Sequence, residues 1–402
     1  MKKITVIGDI MVEPPFMQQV EKDGKCDFLP SLLPLKPLLD EADYVIANLE
    51  TPLAGEAAGY TNRIVSFNAP DSLADAVKAL GIDAVSTCNN HCLDRGYDGL
   101  VRTLKVLDER GIAHTGTYPE DFSGDRNLYF TVGDTKCALI AYTNGTNYGI
   151  NGNALEGNRS ACANLCRAQN NSVPIAKPMP QSYIDTKKFC EELMGRKMIW
   201  EEGVKLKIAM QIPVPYADEL VFEEDQDAYL EKIRQDYLEA RKHADLVFFY
   251  PHTGGQFNVQ PGAYSLRLVQ KSAEMGFDAV FAAHSHTSQL AQFVTGKPCF
   301  YSMGNVTMSP GTFYSVPETL PEYGLAAHLY IDENRIQKVT FSIFKMVEEN
   351  GEAMRVVPVD ALCAELSGEK KAKLIADNAA IYARVTGTPI ADILPQKEYV
   401  LV

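Results

Sequence analysis

Six short polar clusters each follow an apolar run: Gly8-Asp9, Asn48-Leu49-Glu50, Asn89-Asn90-His91, Pro251-His252, His284-Ser285-His286 and Tyr301-Ser302-Met303-Gly304-Asn305. Four of the seven histidines, His91, His252, His284 and His286, lie in them. In open α/β sheets ligands bind beyond the carboxyl ends of the strands, so these clusters are expected to converge on one rim. The His-x-His pair is the sharpest single signal, because alternate residues of an extended segment face the same side and can offer two imidazoles to one ion. Together the clusters supply one Asp, one Glu, one Asn and three or four His, with no thiolate. That oxygen/nitrogen mixture suits one or two divalent ions, Mn, Fe or Zn. Two such ions about 3.5–4 Å apart would clamp an oxyanion and activate water at neutral pH. Each cluster alone also has a plain reading, since Asp after a strand commonly caps a helix and Asn-Asn forms turns. His114, His243 and His328 lie outside the clusters and read as structural or surface residues.

The runs that must position these side chains are strand-like: Ile4–Ile7, Tyr44–Ala47, Asp83–Ser86, Cys137–Tyr142, Leu246–Tyr250, Ala279–Ala282 and Cys299–Tyr301. Helical stretches alternate with them at Leu29–Asp40, Ser72–Leu80, Leu100–Arg110 and Tyr229–Ala244, with Gly111 as a stop signal. This is an α/β layout. The stretch 144–225 breaks the rhythm with an Asn/Gly-rich start, a proline-spaced piece over Val173–Pro180 and an amphipathic piece near Tyr183–Gly195. It reads as an insertion or cap between core strands; its aromatic and Asn-rich start (Asn144, Asn147, Tyr148, Asn151) would suit ligand contact, with a surface loop the preferred reading. Ala326–Ile331 and Lys338–Phe344 flank Asp332-Glu333-Asn334 as a hairpin, and Asp360–Val385 reads as one or two surface helices. The expected organisation is a main domain over 1–350 and a helical appendage over 351–402.

With 402 residues, 46% hydrophobic and 22% charged, the chain falls outside the disordered, collagenous and small disulfide-rich classes. Its 38 Lys+Arg against 52 Asp+Glu leave a net charge of −14 with no basic cluster, so no nucleic-acid partner is expected. The same acidity would repel an anionic substrate unless metal cations inverted the local field. Nine cysteines in no CxxC pattern read as free thiols of a reducing compartment. The apolar run at Ile4–Ile7 is too short for a signal h-region, and no uncharged run reaches the roughly 18 residues of a membrane span. The expectation is a cytoplasmic chain without an integral membrane segment. Nothing in the sequence sets its oligomeric state.

The motif order is itself distinctive: Gly8-Asp9-Ile10-Met11, Asn48-Leu49-Glu50-Thr51-Pro52-Leu53, Asn89-Asn90-His91-Cys92-Leu93-Asp94-Arg95-Gly96, His252, Ala283-His284-Ser285-His286 and Tyr301-Ser302-Met303-Gly304-Asn305. Over about residues 1–310 it resembles the CapA family of bacterial poly-γ-glutamate capsule proteins, which is similar to the calcineurin-like metallophosphoesterases. The resemblance implies a four-layer α/β/β/α sandwich with a dinuclear metal site. It assigns Asp9 and His286 to a first metal, Glu50 to the bridging position, and Asn90, His252 and His284 to a second. His91 would be general acid or transition-state donor, oriented by Asp94, with Asn48, Asn89 and Asn305 against substrate. Two departures stand out. The phosphoesterases carry Asp-x-His where this chain has Asp9-Ile10-Met11, and Thr253-Gly254-Gly255-Gln256 follows His252 where the family often has Trp and Glu. A Gln cannot replace a carboxylate as base. The resemblance therefore implies a metal-dependent hydrolase acting on a phosphoester or a γ-glutamyl amide, its partner an anionic small molecule or γ-glutamyl polymer. The alternative is a non-catalytic capsule-assembly or polymer-binding component with a degenerate metal site.

Overall fold

The computed structural model describes residues 1–401 apart from 64, 170–179, 199, 211–217, 219–222, 310–311, 313–314 and 349–352. Its strands are β1 (Lys2–Ile10), β2 (Glu21–Lys22), β3 (Lys25–Cys26), β4 (Tyr44–Leu49), β5 (Ala84–Ser86), β6 (Ala113–Thr115), β7 (Leu128–Val132) and β8 (Thr135–Thr143), followed by β9 (Leu246–His252), β10 (Ala279–Phe281), β11 (Ala291–Val294), β12 (Lys297–Phe300), β13 (Tyr323–Asp332), β14 (Arg335–Val347), β15 (Arg355–Pro358) and β16 (Tyr399–Val400). The first sheet runs β15-β14-β13-β1-β4-β5-β6, with β16 also on β14; the second runs β11-β12-β10-β9-β8-β7; β2 and β3 form a separate ribbon. Each large sheet has a parallel centre, β1-β4-β5-β6 in one and β8-β9-β10-β12 in the other.

Parallel strands covered on both faces read as continuous apolar runs, and both faces are covered here. Ile4, Val6 and Ile46 of the first sheet meet Leu139, Phe248, Tyr250 and Phe281 of the second in one core. The alternate residues Ile7, Val45 and Val85 pack outward on Leu73, Val77, Val106 and Leu107 of helices Ser72–Ala79 and Gly96–Glu109. On the other side Ile140, Val247 and Phe249 pack on Ile233, Leu268 and Val269 of helices Glu223–Ala240 and Ala263–Met275. The result is the expected four-layer α/β/β/α sandwich.

The helical stretch expected at Leu29–Asp40 is present as short pieces. It breaks into turns at Leu29–Leu32, Leu33–Leu35 and Lys36–Leu39, each with a proline in its first two positions, because proline is tolerated only where its missing N–H is not needed. The hairpin between β13 and β14 turns on Glu333 and Asn334, both left-handed at φ 48° and 58°, the geometry whose twist matches the strands. The expected boundary at 350 falls within one sheet: β15 and β16 both pair with β14, and Leu374, Ile381 and Val385 of helix Gly368–Thr386 join the inter-sheet core. In the insertion, helix Gln181–Met194 covers the amphipathic piece, while the proline-spaced stretch, Pro180 excepted, lies outside the described residues. All nine cysteines are free thiols, and among the described residues no helix is long and apolar enough to cross a membrane.

Two contacts fix the sheets at the end where the polar clusters lie. Tyr250 donates its hydroxyl hydrogen to the Ile7 carbonyl at 2.8 Å, linking β9 to β1. Gly8 crosses Gly304 so closely that a Cβ at position 8 would sit 1.9 Å from the Gly304 carbonyl oxygen. Gly8→Ala is therefore expected to lower the unfolding free energy by at least about 1–3 kcal/mol, the range for overpacking, measurable as an earlier urea midpoint.

His328 is a buried structural histidine, as expected, held by Thr5 Oγ1 at Nδ1 and Ser342 Oγ at Nε2, both at 2.9 Å. Burial, aided by Lys3, pushes its pKa down to about 3. The unfolded chain thus binds a proton that the folded chain refuses between about pH 6.5 and 3, and stability falls as pH falls through that window. His328→Gln should flatten the pH dependence of unfolding there by up to about 1.4 kcal/mol per pH unit relative to wild type.

Candidate metal centre

The first sheet contributes carboxylates and the second contributes imidazoles. Asp9 and Glu50 stand on neighbouring parallel strand ends, since Asp9 is in register with Asn48 and the Glu50 N–H donates to the Ile10 carbonyl at 2.9 Å. His252 ends β9 and lies beside the segment after β10, where Ala283 bridges it and His284 and His286 follow. Beyond β12 the chain passes to the first sheet, so that Asn305 bridges Asp9. All these side chains are buried, Asp9, Glu50 and His252 completely.

Two donor sets share Glu50. Glu50, His252 and His284 form one and Asp9, Glu50 and His286 the other, each with ligand atoms within 4.8 Å of one another. In the first set His252 Nε2 lies 3.1 Å from His284 Nδ1, 3.3 Å from Glu50 Oε1 and 2.7 Å from Asn90 Oδ1. Edges of about 3 Å are what neighbouring ligands show around one ion with bonds of about 2.0–2.2 Å. Both Glu50 carboxylate oxygens are buried and poorly supplied with donors, the neighbouring Asp9 carboxyl being the side chain that bonds the group, so its charged form is costly unless a cation balances it. These residues fit a divalent ion. The second set is thinner: His286 Nε2 lies 3.9 Å from Glu50 Oε1 and its Nδ1 3.7 Å from Asp9 Oδ2, while Met11 is buried with Val65, Phe67, Phe257 and Met308 and adds no ligand.

Electrostatics follow from burial. It pushes Asp9 up to about 8, with help from Glu50, and Glu50 likewise up to about 8. It pushes His252 down to about 4, His286 down to about 3, and His284 well below the usual imidazole range. Neutral imidazoles and proton-bearing carboxylates are what a cation-binding cavity holds before its cation arrives.

Of the three asparagines expected against substrate, Asn48 and Asn305 bond candidate ligands directly, and Asn89 bonds Asn48 and its neighbours. Asn48 Nδ2 donates to Asp9 Oδ1 at 2.8 Å and pairs with His252 Nδ1 at 3.2 Å. Asn89 donates to the Leu49 carbonyl at 2.8 Å and to Asn48 Oδ1 at 3.2 Å, and its own oxygen accepts from the His91 N–H. Asn305 Oδ1 takes the hydrogen of His286 Nδ1 at 3.0 Å, leaving Nε2 to face Glu50, and its amide group donates to the His286 and Pro321 carbonyls. Buried amides beside charged groups are held by those groups, so they orient ligands.

His91 and Asp94 meet, Nδ1 donating to Asp94 Oδ2 at 2.6 Å while Nε2 faces Glu50 Oε1 at 3.9 Å. Burial pulls the imidazole pKa down, but Asp94, Glu50 and Asp9 outweigh it and the net direction is up. Two neighbours carried no sequence signal. Phe67 stacks on the His91 ring at 4.2 Å and its N–H donates to Asp94 Oδ2 at 2.7 Å. Thr307 Oγ1 accepts from the Met11 N–H at 2.7 Å and donates to the Met11 carbonyl, closing the end of β1. Asn147, read as part of a surface loop, reaches the site: its Oδ1 accepts from Asn90 Nδ2 at 3.3 Å and its Nδ2 lies 3.5 Å from His91 Nδ1. Its left-handed φ of 52°, which Asn tolerates, turns the loop inward.

A family model described as bacterial capsule synthesis protein PGA_cap matches residues 3–309. The chain belongs to this capsule synthesis family. It is 21% identical over 326 residues to the capsule biosynthesis protein CapA of Bacillus anthracis, covering 80% of this chain and 63% of that protein. It is 19% identical to the PGA biosynthesis protein CapA of Bacillus subtilis strain 168, covering 79% and 66%. The chain thus spans less than two thirds of either relative's length. Among solved structures it is similar to a hypothetical protein from Thermus thermophilus, at 14% identity and a TM-score of 0.43, covering 85% of this chain and 99% of that one. The PGA_cap match ends soon after Asn305, so it contains all six candidate ligands but not β13 to β16 or the C-terminal helices.

Because both donor sets contain Glu50, Glu50→Gln should weaken Mn²⁺ or Zn²⁺ binding at every occupied position, by at least the roughly 10–100-fold that loss of an outer-sphere partner costs. Asp9→Asn should affect the thinner set alone. Titration calorimetry with elemental analysis of the purified proteins separates the two outcomes.

Proposed function

We propose that this capsule-family chain is a metal-dependent hydrolase of poly-γ-glutamate metabolism, cleaving a γ-glutamyl amide or a phosphoester. The observation that carries the reading is Glu50, a fully buried carboxylate common to two donor sets of acids and imidazoles. Glu50, Asn90, His252 and His284 would hold the tighter ion, with Mn, Fe and Zn all compatible with the donor chemistry, and Asp9, Glu50 and His286 a weaker one. When bound, such an ion polarises a carbonyl or phosphoryl oxygen, lowers the pKa of water and offsets the repulsion between a polyanion and a chain of net charge −14.

The chain's own contribution is proton placement and orientation. Asp94 takes the Nδ1 hydrogen of His91 and so fixes the ring with Nε2 toward Glu50, where it can hand a proton to a leaving amine or alkoxide. Phe67 holds the plane of that ring. Asn48 and Asn305 hold Asp9, His252 and His286 in place, so little reorganisation accompanies the reaction.

One observation favours the non-catalytic reading, a polymer-binding component of capsule assembly: Met11 leaves the thinner donor set without a further imidazole. Turnover separates the two. The Mn²⁺-loaded chain is expected to hydrolyse either a γ-linked glutamate oligomer or an aryl phosphodiester, to stop on chelation, and to lose about 10²–10⁴-fold in kcat in His91→Gln with KM little changed. A wild-type chain that holds metal by elemental analysis but turns over neither substrate class makes the binding reading the correct one.

A further inference from the structure

The two histidines of the metal centre's second-sheet loop are both held in backbone conformations that side chains rarely adopt, His284 at φ 100° and His286 at φ 55°. Such conformations persist only where the surroundings over-determine them. Within the loop's own neighbourhood the restraints are these: the His284 N–H donates to Asp9 Oδ2 at 3.2 Å and its Nδ1 lies 3.1 Å from His252 Nε2, the Phe257 N–H donates to the Ser285 carbonyl at 2.6 Å, Ser285 Oγ donates to the Thr287 carbonyl at 2.8 Å, and Asn305 holds the ring and the carbonyl of His286.

A further restraint arrives from 97 residues away in sequence. Arg384 lies in the last turn of helix Gly368–Thr386, which ends at Gly387 with a left-handed φ of 67° beside Leu290. Its Nη1 donates to Thr287 Oγ1 and to the Thr319 carbonyl, both at 2.7 Å, with the Ser288 carbonyl at 3.4 Å. Thr287 Oγ1 in turn donates to the Thr319 carbonyl at 2.7 Å. Three segments are thereby fastened at one guanidinium: the histidine loop, the short helical turn Pro317–Thr319 and the C-terminal helix. Its partners are all neutral oxygens, and among the described residues no carboxylate forms an ion pair with it. A half-buried guanidinium without a counter-charge adds little as a stabilising ion pair, whereas its permanently charged N–H donors are well suited to fixing several acceptors at one point.

We infer that Arg384 is a positioning residue for the metal centre: it braces the strained His284–His286 loop from a helix that lies outside the PGA_cap match, so the C-terminal segment completes the site. This rests on the metal-binding reading of the centre. Loss of the brace lets the loop relax toward ordinary φ values, and the imidazoles leave the spacing they share with Glu50.

The test is Mn²⁺ affinity, measured by calorimetry on the full chain well below its melting temperature. Arg384→Gln, and independently Thr287→Val, should each weaken Mn²⁺ binding by about 10–100-fold, as loss of outer-sphere partners does elsewhere. Leu374→Ala, which loosens the same helix in the inter-sheet core without touching the loop, should lower the melting temperature and leave affinity unchanged. Wild-type binding that both loop-side variants leave intact overturns the brace, and so does an equal loss in Leu374→Ala. A wild-type chain that takes up no Mn²⁺ or Zn²⁺ overturns the metal reading and the brace with it.

Discussion

Two carboxylates, Asp9 and Glu50, are buried side by side where the strand ends of two sheets meet, and the structure around them is arranged to make that tolerable. Removing one carboxylate from water is expensive and removing two adjacent ones is more so. Three of the nearby histidines do not supply compensating charge, because burial holds His252, His284 and His286 neutral. What they supply is lone pairs. A cavity that gathers acids and neutral imidazoles in this way is complementary to a cation, and Glu50, common to both donor sets, marks its centre.

This constraint explains why the site needs both sheets. Neither holds a full ligand set: β1 and β4 bring the acids and the ends of β9 and β10 bring the imidazoles. The sheets must dock in a fixed register, and the apolar core between them supplies the free energy. The Gly8–Gly304 crossing and the Tyr250–Ile7 hydrogen bond then set the local fit at the ligand end. Asn48, Asn89 and Asn305 occupy the places between ligands, where an unengaged polar group would itself be a cost.

The division between ligands and supports also follows the chain. All six candidate ligands lie within the segment that the capsule family shares, whereas β13, β14 and the helix carrying Arg384 follow it. The later segment closes one side of the inter-sheet core through Leu374, Ile381 and Val385, and the same helix reaches the histidine loop. One helix thus contributes to the inter-sheet core at one end and to the bracing of the histidine loop at the other.

The sequence by itself determined the layered fold and the convergence of the ligands. Continuous apolar runs such as Ile4–Ile7 and Leu246–Tyr250 have no polar face, so they had to become strands covered on both sides, and polar residues placed just after such strands had to gather at one rim. Local proline chemistry was equally readable in principle, and the broken turns of 29–40 follow from Pro30, Pro34 and Pro37. Tertiary structure alone decided which polar residues face the cavity and which support it. Asn305 and Asn90 are the same residue type after comparable strands, yet one is closed off by His286 and Pro321 while the other faces His252. Phe67, Asn147 and Arg384 reach the site from segments whose sequence pattern describes only their own turn or helix. Periodicity reports how a residue sits within its element, whereas contact between elements distant in sequence depends on how the sheets and helices dock, and no local pattern encodes that.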